Sequence, residues 1–100
     1  MKKSGLTVPK HLSADAKTMW RRLMEDFHLE DAAALALLRA ACEAFDRCNE
    51  ARQQIAKEGA TLKDRFGQVR AHPAVAVERD ARGQMISALR ALRLDPGVLE

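Results

Sequence analysis

The chain has 100 residues, of which 47% are apolar, and 18 of the apolar residues are alanine. It contains no tyrosine, one tryptophan, three phenylalanines and ten β-branched residues, which is little material for a β-sandwich or barrel. The longest uninterrupted apolar stretch, residues 32–38, has seven residues, whereas a membrane-spanning helix needs about 20. These counts predict a single all-α domain and exclude a membrane partner.

The formal net charge of +3 is distributed unevenly along the chain. Residues 1–12 carry +3, residues 13–60 carry −2, residues 61–93 carry +4 and the last seven carry −2. A protein that contacts a polyanion with part of its surface has this distribution. A solvated, arginine-rich helix face would have it too, so charge alone leaves both interpretations open.

The sequence predicts neither export, nor a disulfide, nor a metal site. No apolar segment follows Lys2 and Lys3, so we expect a cytoplasmic protein. Cys42 and Cys48 are six residues apart on one predicted helix, which turns their side chains to different sides and prevents them from pairing with each other. The histidines have no cysteine or histidine at metal-ligand spacing, so we expect no metal and no other cofactor.

Two amphipathic helices are predicted in the first part of the chain. Apolar residues recur at intervals of three and four after Ser13, which predicts a helix over residues 14–27 with Ser13 as its N-cap and Trp20 in its core face. A second helical pattern runs over residues 31–58, where Gly59 is expected to end it. We expect these two helices to form an antiparallel hairpin.

The second predicted helix is unusually long and unusually apolar. At about 1.5 Å per residue it would span roughly 42 Å, which exceeds the diameter of a compact domain of this size. Its apolar positions cover nearly half the circumference, whereas an ordinary surface helix buries a stripe of roughly 100°. The extra width predicts contact with another copy of the chain. The candidate interface residues are Leu37, Ala41, Ala44, Cys48, Ala51, Arg52 and Ile55.

Arg52 lies in the middle of this apolar half. Because an unpaired buried charge is costly, the side chain is expected either to form an ion pair at a subunit interface or to extend its long stem to the end of the helix.

The helical period stops at residue 60 and resumes at residue 73. Residues 60–71 predict a short β-hairpin or loop, in which Gly67 can adopt the positive φ of a turn and Phe66 is either exposed or folded back on its neighbours. His72-Pro73 then begins a third helix that is expected to run to residue 93.

Four arginines of the third predicted helix fall on one edge, within about 80° of each other on a wheel. Such a row can bind phosphates, and an acidic partner protein could use it equally well. Together with the basic arm and the hairpin, it supplies the candidate DNA-binding residues. They are Lys2, Lys3, Lys10, Lys63, Arg65, Arg70, Arg79, Arg82, Arg90 and Arg93.

Motifs of known catalytic sites are missing from the sequence. It has no glycine-rich phosphate loop, no nucleophile elbow and no metalloprotease motif. We therefore predict a binding protein and not an enzyme. Its expected organisation is a basic arm over residues 1–12, one helical domain over residues 13–97 and a tail over residues 98–100.

The order of these signals resembles the small-subunit family of phage terminases, of the kind found in cohesive-end, siphovirus-type phages. The most specific part is Gly59-x-Thr61, followed by a hairpin and by His72-Pro73-Ala74. The segments that carry the resemblance are 8–13, 16–17, 20–23, 31–38, 42–45, 51–52, 59–61, 69–74 and 92–96.

The resemblance implies a non-catalytic subunit that assembles into a ring-shaped homo-oligomer in the cytoplasm of the infected bacterium. It implies that the ring recognises double-stranded phage DNA and recruits and regulates the large ATPase and nuclease subunit. Only twelve residues precede Ser13, so we expect no separate N-terminal helix-turn-helix. The alternative is a helical adaptor whose basic edge binds an acidic protein and no DNA.

Overall fold

A computed structural model describes residues 7–93 of the chain. The elements are helix α1 (Ala14–Phe27), helix α2 (Ala32–Glu58), strands β1 (Thr61–Lys63) and β2 (Val69–Ala71), and helix α3 (Pro73–Ala91). The fold is mostly helical with one two-stranded antiparallel sheet, as composition and periodicity predict. The predicted helix bounds are met to within two residues.

The ends of α1 and α2 are fixed by the residues that the sequence marks for them. The hydroxyl of Ser13 accepts a hydrogen bond from the backbone N–H of Ala16 at 3.1 Å, and a carboxylate oxygen of Asp31 accepts one from Ala34 at 2.7 Å. Such caps satisfy backbone donors that have no partner within the helix. Gly59 ends α2 with a φ of 90°, which is accessible to glycine.

The core between α1 and α2 lies at the N-terminal half of α2. Its buried members are Leu12, Ala16, Trp20, Leu38 and Cys42. Trp20 is only 3% exposed, which confirms its predicted place in the core. Leu38 and Cys42 are the largest side chains that are fully buried in the described part of the chain.

Polar contacts attach the beginning of α1 to the middle of α2. The imidazole Nε2 of His11 lies 2.7 Å from a carboxylate oxygen of Glu43. The backbone N–H of Ser13 donates to Asp46 at 2.9 Å, and its hydroxyl donates to the other oxygen of the same carboxylate. Because Ser13 lies beside Asp46 and Trp20 packs nearer the start of α2, the two helices run antiparallel, as expected.

The more extensive helix pair is α2 with α3, a pairing that the sequence pattern does not specify. Small side chains allow the two helices to approach closely. Arg47 donates to Gln84 at 2.8 Å, and the thiol of the adjacent Cys48 lies 3.6 Å from Glu78. The buried small residues of the pair are Ala41, Ala44, Cys48 and Ala51 on α2, and Ala74, Ala81 and Ala88 on α3.

One buried histidine joins the end of α2 to the start of α3. The Nδ1 atom of His72 accepts from the backbone N–H of Ala74 at 2.9 Å and caps α3. Its Nε2 atom therefore carries the hydrogen and donates to Glu58 at 2.7 Å. Pro73 occupies the first turn of α3, as predicted. The imidazole thus holds both helices in register beside the hairpin that connects them.

The molecule is elongated, measuring 60 × 31 × 18 Å along its principal axes. Its longest element is α2, whose 27 residues extend about 40 Å. No helix within residues 7–93 is long and apolar enough to cross a membrane.

We predict that Leu38→Ala lowers the free energy of unfolding by about 2–5 kcal/mol, because it removes a fully buried side chain from the α1–α2 core. The matched control is Leu62→Ala, which truncates a leucine that is 40% exposed and is expected to change stability by less than about 0.5 kcal/mol. Urea unfolding followed by circular dichroism measures both. Equal losses for the two variants would contradict the core described here.

Candidate nucleic-acid interface

The predicted arginine edge of α3 is only partly available to a ligand. The guanidinium of Arg79 contacts Asp80 at 3.3 Å, and that of Arg82 contacts Glu78 at 3.1 Å. Arg90, near the end of the helix, is exposed. The row therefore begins with two arginines whose charge is shared with acids of the same helix.

Arg93 does not continue this row. The helix ends at Ala91, two residues before the predicted bound, and Leu92 is its C-cap. The backbone N–H of Arg93 donates to the carbonyl of Arg90 in a tighter turn, and Arg93 has a left-handed φ of 62°. Its side chain is exposed, but because Arg93 lies outside the helix, a helical wheel does not give its direction.

Glu78 is shared by two arginines from different elements. The Nε atom of Arg52 on α2 and an Nη atom of Arg82 on α3 both lie 3.1 Å from one carboxylate oxygen of Glu78. Burial alone would raise the pKa of Glu78, but the hydrogen bond from Arg52 and the charge of Arg82 hold this pKa below its ordinary value. Glu78 is therefore an ionised bridge between the two helices.

The structure corrects the interpretation of Arg52. Its side chain is 57% exposed and forms its ion pair within the chain, so it needs neither a subunit interface nor a path to the helix end. The partner, Glu78, lies 26 residues away in the sequence, so local sequence periodicity cannot predict this ion pair.

The other candidate interface residues of α2 divide into two groups. Ala41, Ala44, Cys48 and Ala51 are buried within a single chain, because α3 packs along their face of α2. They are therefore not surface residues that a second copy could contact directly. Leu37 and Ile55 are half-buried. Leu37 borders an open groove of about 760 Å³ with residues of α3, namely Arg79, Asp80, Gly83, Gln84, Ser87, Ala88 and Ala91.

The predicted hairpin is present and is ordered around Asp64. One oxygen of its carboxylate accepts from the backbone N–H groups of Phe66 at 2.8 Å and of Gln68 at 3.0 Å. The other accepts from the guanidinium of Arg70 at 2.9 Å. The hydrogen bond from Arg70, followed by that from Gln68, holds the pKa of Asp64 below its ordinary value. Gly67 adopts the expected positive φ, 80°.

The hairpin is cationic and exposed on both strands. All six residues of β1 and β2 are exposed. Phe66, at the tip, is 75% exposed, so it does not fold back into a core, and the guanidinium of Arg65 lies 5.1 Å from its ring centroid. Within residues 7–93, neither Lys63 nor Arg65 has an acidic oxygen within 4.0 Å, whereas Arg70 is paired with Asp64.

The remaining cations lie elsewhere on the surface. Lys10 is exposed before α1, while Lys2 and Lys3 lie outside the described residues. Arg21 and Arg22, which were not among the predicted DNA-binding residues, are exposed on α1 and have no ion-pair partner among the described residues. The polar face of α1 contains them, but a solvated helix face has the same pattern, so only the structure distinguishes them from paired arginines.

Neither cysteine has the properties of a nucleophile. Both are free and buried, Cys42 in the α1–α2 core and Cys48 beside α3, which confirms that they point to different sides. Burial, followed by the charges of Asp46 and Glu43, raises the pKa of Cys42 to about 12, and burial also raises the pKa of Cys48. Within residues 7–93 there is no cluster of three or more histidine, cysteine or acidic residues that could hold a metal ion.

Fold and surface together define a small, basic, helical protein with a long central helix and an exposed connecting hairpin. The family model described as "Phage terminase, small subunit" matches residues 16–97. The chain therefore belongs to the phage terminase small-subunit family and is a DNA-packaging small subunit. This family is generally non-catalytic. No curated protein and no solved structure matches the chain.

We predict that the backbone amide resonances of Phe66 and Gln68 titrate with a midpoint below 3.8, the ordinary pKa of the aspartate that binds them. Because the folded-state pKa of Asp64 is lowered, the stabilisation it gives the hairpin is present above pH 3.8 and is lost as the pH falls through the lowered value. Two-dimensional NMR during acidification measures the midpoint.

Arg70→Gln removes the largest cause of this shift and is expected to raise the midpoint towards the ordinary pKa. Arg39→Gln, which removes a cation from α2, serves as the control and is expected to leave it unchanged. A wild-type midpoint at or above 3.8 would contradict the geometry around Asp64.

Proposed function

We propose that this chain binds and recognises phage genomic DNA and that it recruits and regulates the large terminase subunit, which carries the ATPase and nuclease. It would act in the cytoplasm of the infected host, as part of a ring-shaped homo-oligomer. The family match over residues 16–97 is the observation that carries this proposal. Cationic side chains exposed on the hairpin and on α3 support the DNA contact.

The DNA contact is proposed to involve two regions near the opposite ends of α3. Lys63 and Arg65 lie in the hairpin that precedes α3, and Arg90 and Arg93 lie at its other end. None of the four has an ion-pair partner within residues 7–93. Arg79 and Arg82 lie between the two regions and would exchange their helix acids for phosphates, because a phosphate offers an arginine the same two-oxygen geometry.

We predict that changing Arg79, Arg82, Arg90 and Arg93 together to glutamine removes most of the affinity for duplex DNA. Each phosphate contact that is lost reduces the salt dependence of binding by about 0.9 in the log–log slope. Fluorescence anisotropy over a salt series measures both quantities.

The matched control is Arg21→Gln with Arg22→Gln, which removes exposed arginines from α1, outside the proposed contact. Circular dichroism checks that the quadruple variant still folds. We expect it to fold, because Arg52 still pairs with Glu78 when Arg82 is replaced. Unchanged affinity in the quadruple variant would move the contact to the hairpin and to Lys2, Lys3 and Lys10.

The ring is proposed to use the surface that α1 and α3 leave open on α2. Leu37, on α2, is half-buried and borders the groove along α3. Gly83 lies on the α3 side, and a Cβ atom built there meets no other atom within 4 Å. Glycine destabilises a helix interior, and packing within a single chain does not require one at this position. Close approach by a second copy would supply the reason.

We predict that Gly83→Leu lowers the assembled mass, because its side chain would project into the proposed interface. Light scattering coupled to size-exclusion chromatography measures the mass at micromolar concentration. Gly83→Ala is the control, since it adds one methyl group. It is expected to stabilise the isolated helix by about 0.5–1 kcal/mol and to preserve more of the assembly.

If Gly83→Leu assembles as the wild type does, this groove is not the interface. If the wild type is a monomer of 11.1 kDa, the ring itself is contradicted.

The alternative function, a helical adaptor for an acidic protein, is favoured by one feature of α3. Ile86 is 40% exposed and lies between the arginines, where an apolar side chain adds nothing to phosphate binding but would contribute to a protein interface. This alternative would be favoured if the wild type bound neither specific nor random duplex DNA.

A further inference from the structure

The hairpin is larger than the connection between α2 and α3 requires. Fourteen residues, 59–72, separate the two helices, whereas antiparallel helices in bundles are usually joined by about 2–8 residues. His72 alone already links the two helix ends through Glu58 and Ala74. The strands and their turn therefore do more than close the helical pair.

The hairpin also buries nothing for the rest of the chain. Both strands are exposed along their whole length, and three of the five exposed large apolar residues found in the described region belong to it: Leu62, Phe66 and Val69. An isolated two-stranded hairpin is only marginally stable in water and has no core in which to bury these apolar side chains. Contact with another molecule would explain why they are present.

The tip is nevertheless held in one conformation. Asp64 accepts three hydrogen bonds across the turn, its backbone N–H donates to the carbonyl of Gln68 at 2.9 Å, and its own carbonyl accepts from Gly67 at 2.9 Å. Using the only carboxylate of the hairpin in this way leaves Lys63 and Arg65 without an acidic partner among the described residues. The turn thus presents an exposed aromatic ring on an ordered backbone, beside two cations that have no acidic partner among the described residues.

We propose that Phe66 is an apolar wedge that enters duplex DNA between neighbouring base pairs while Lys63 and Arg65 bind the flanking phosphates. This inference rests on the proposed DNA-binding function and adds to it a mode of contact. Two-stranded β-ribbons bind DNA in the major or the minor groove, and an apolar side chain inserted from the minor groove at a base step unstacks it and bends the duplex.

The arrangement of charge and ring favours DNA over a protein as the occupant. The hairpin carries three cations and one acid, and Asp64 is already bound by Arg70, so the surface complements a polyanion. The Arg65 guanidinium lies over the Phe66 ring, which places a cation beside the wedge, where phosphates flank an opened base step. A protein groove would instead contact the strand face that carries Leu62.

The test is a bending assay on a random-sequence duplex of about 25 base pairs with a fluorophore at each end. The wild type is expected to bind and to shorten the end-to-end distance, with a bend in the range of roughly 20–90°. Phe66→Ala is expected to lose the bend and to weaken binding by about tenfold, the usual effect of removing one stacked aromatic residue. Because Phe66 is 75% exposed, this change leaves the fold intact.

Two further variants identify the wedge. Leu62→Ala removes a leucine that is exposed on a strand of the same hairpin, and it is expected to preserve the bend. Phe66→Trp is expected to bend DNA and to have its indole fluorescence quenched on binding, over the constant background of buried Trp20. The pair Lys63→Gln with Arg65→Gln is expected to reduce the salt slope by about 1.8.

The outcomes separate the two proposals. Binding by the wild type without a bend, or a bend that survives in Phe66→Ala, overturns the wedge and leaves DNA binding in place. Loss of the bend in Leu62→Ala as well as Phe66→Ala assigns the contact to the strand face and also overturns the wedge. Absence of DNA binding by the wild type overturns the proposed function, and the wedge with it.

Discussion

The need to cover the wide, alanine-rich face of α2 determines the rest of the fold. An ordinary surface helix needs one partner for its apolar stripe, whereas α2 buries Leu38 and Cys42 against α1 and Cys48 and Ala51 on the side of α3. Two shorter helices on adjacent sides supply that cover. Small side chains make the second contact close, so polar residues of both helices can meet across it, as Arg52 and Glu78 do.

Covering α2 with α3 also dictates where the hairpin lies. Because α3 runs back along α2, the chain must reverse at Glu58, and His72 fixes the reversal by binding Glu58 and capping α3 with one ring. The strands of the segment between Glu58 and His72 are exposed and do not contribute to the helical core. It carries instead its own local order, centred on Asp64, and its apolar and cationic side chains remain exposed.

Local signals predicted the elements well because their causes are local. Ser13, Asp31 and Pro73 act on backbone groups within four residues of themselves, and Gly67 takes its turn conformation from its own lack of a side chain. A wheel also shows that the apolar face of α2 is too wide for one partner. It cannot tell whether a second helix of the same chain or another copy covers that face, and here α3 covers most of it.

The candidate site was predicted less completely, because its charges depend on contacts between distant residues and on where a helix stops. Arg52 pairs with an acid 26 residues away, which no spacing rule reveals. Arg93 fell on the arginine edge only while the helix was assumed to reach it. The exposed position of Phe66 was one of two possibilities, and burial in three dimensions decides between them.

Ion pairing redistributes the charge that the sequence assigns to residues 61–93. The +4 of that segment includes Arg70, Arg79 and Arg82, each bound to an acid. Among the described residues, the cations of this segment without an acidic partner are then Lys63 and Arg65 in the hairpin, Arg90 in the last turn of α3 and Arg93 just beyond it. The 19 residues of α3 separate the two groups by about 28 Å. One turn of duplex DNA is about 34 Å long, so a single duplex lying along α3 could reach both ends. A helix that is cationic at its two ends, and largely neutralised between them, would hold DNA at two points and leave the hairpin to act on the segment beside it.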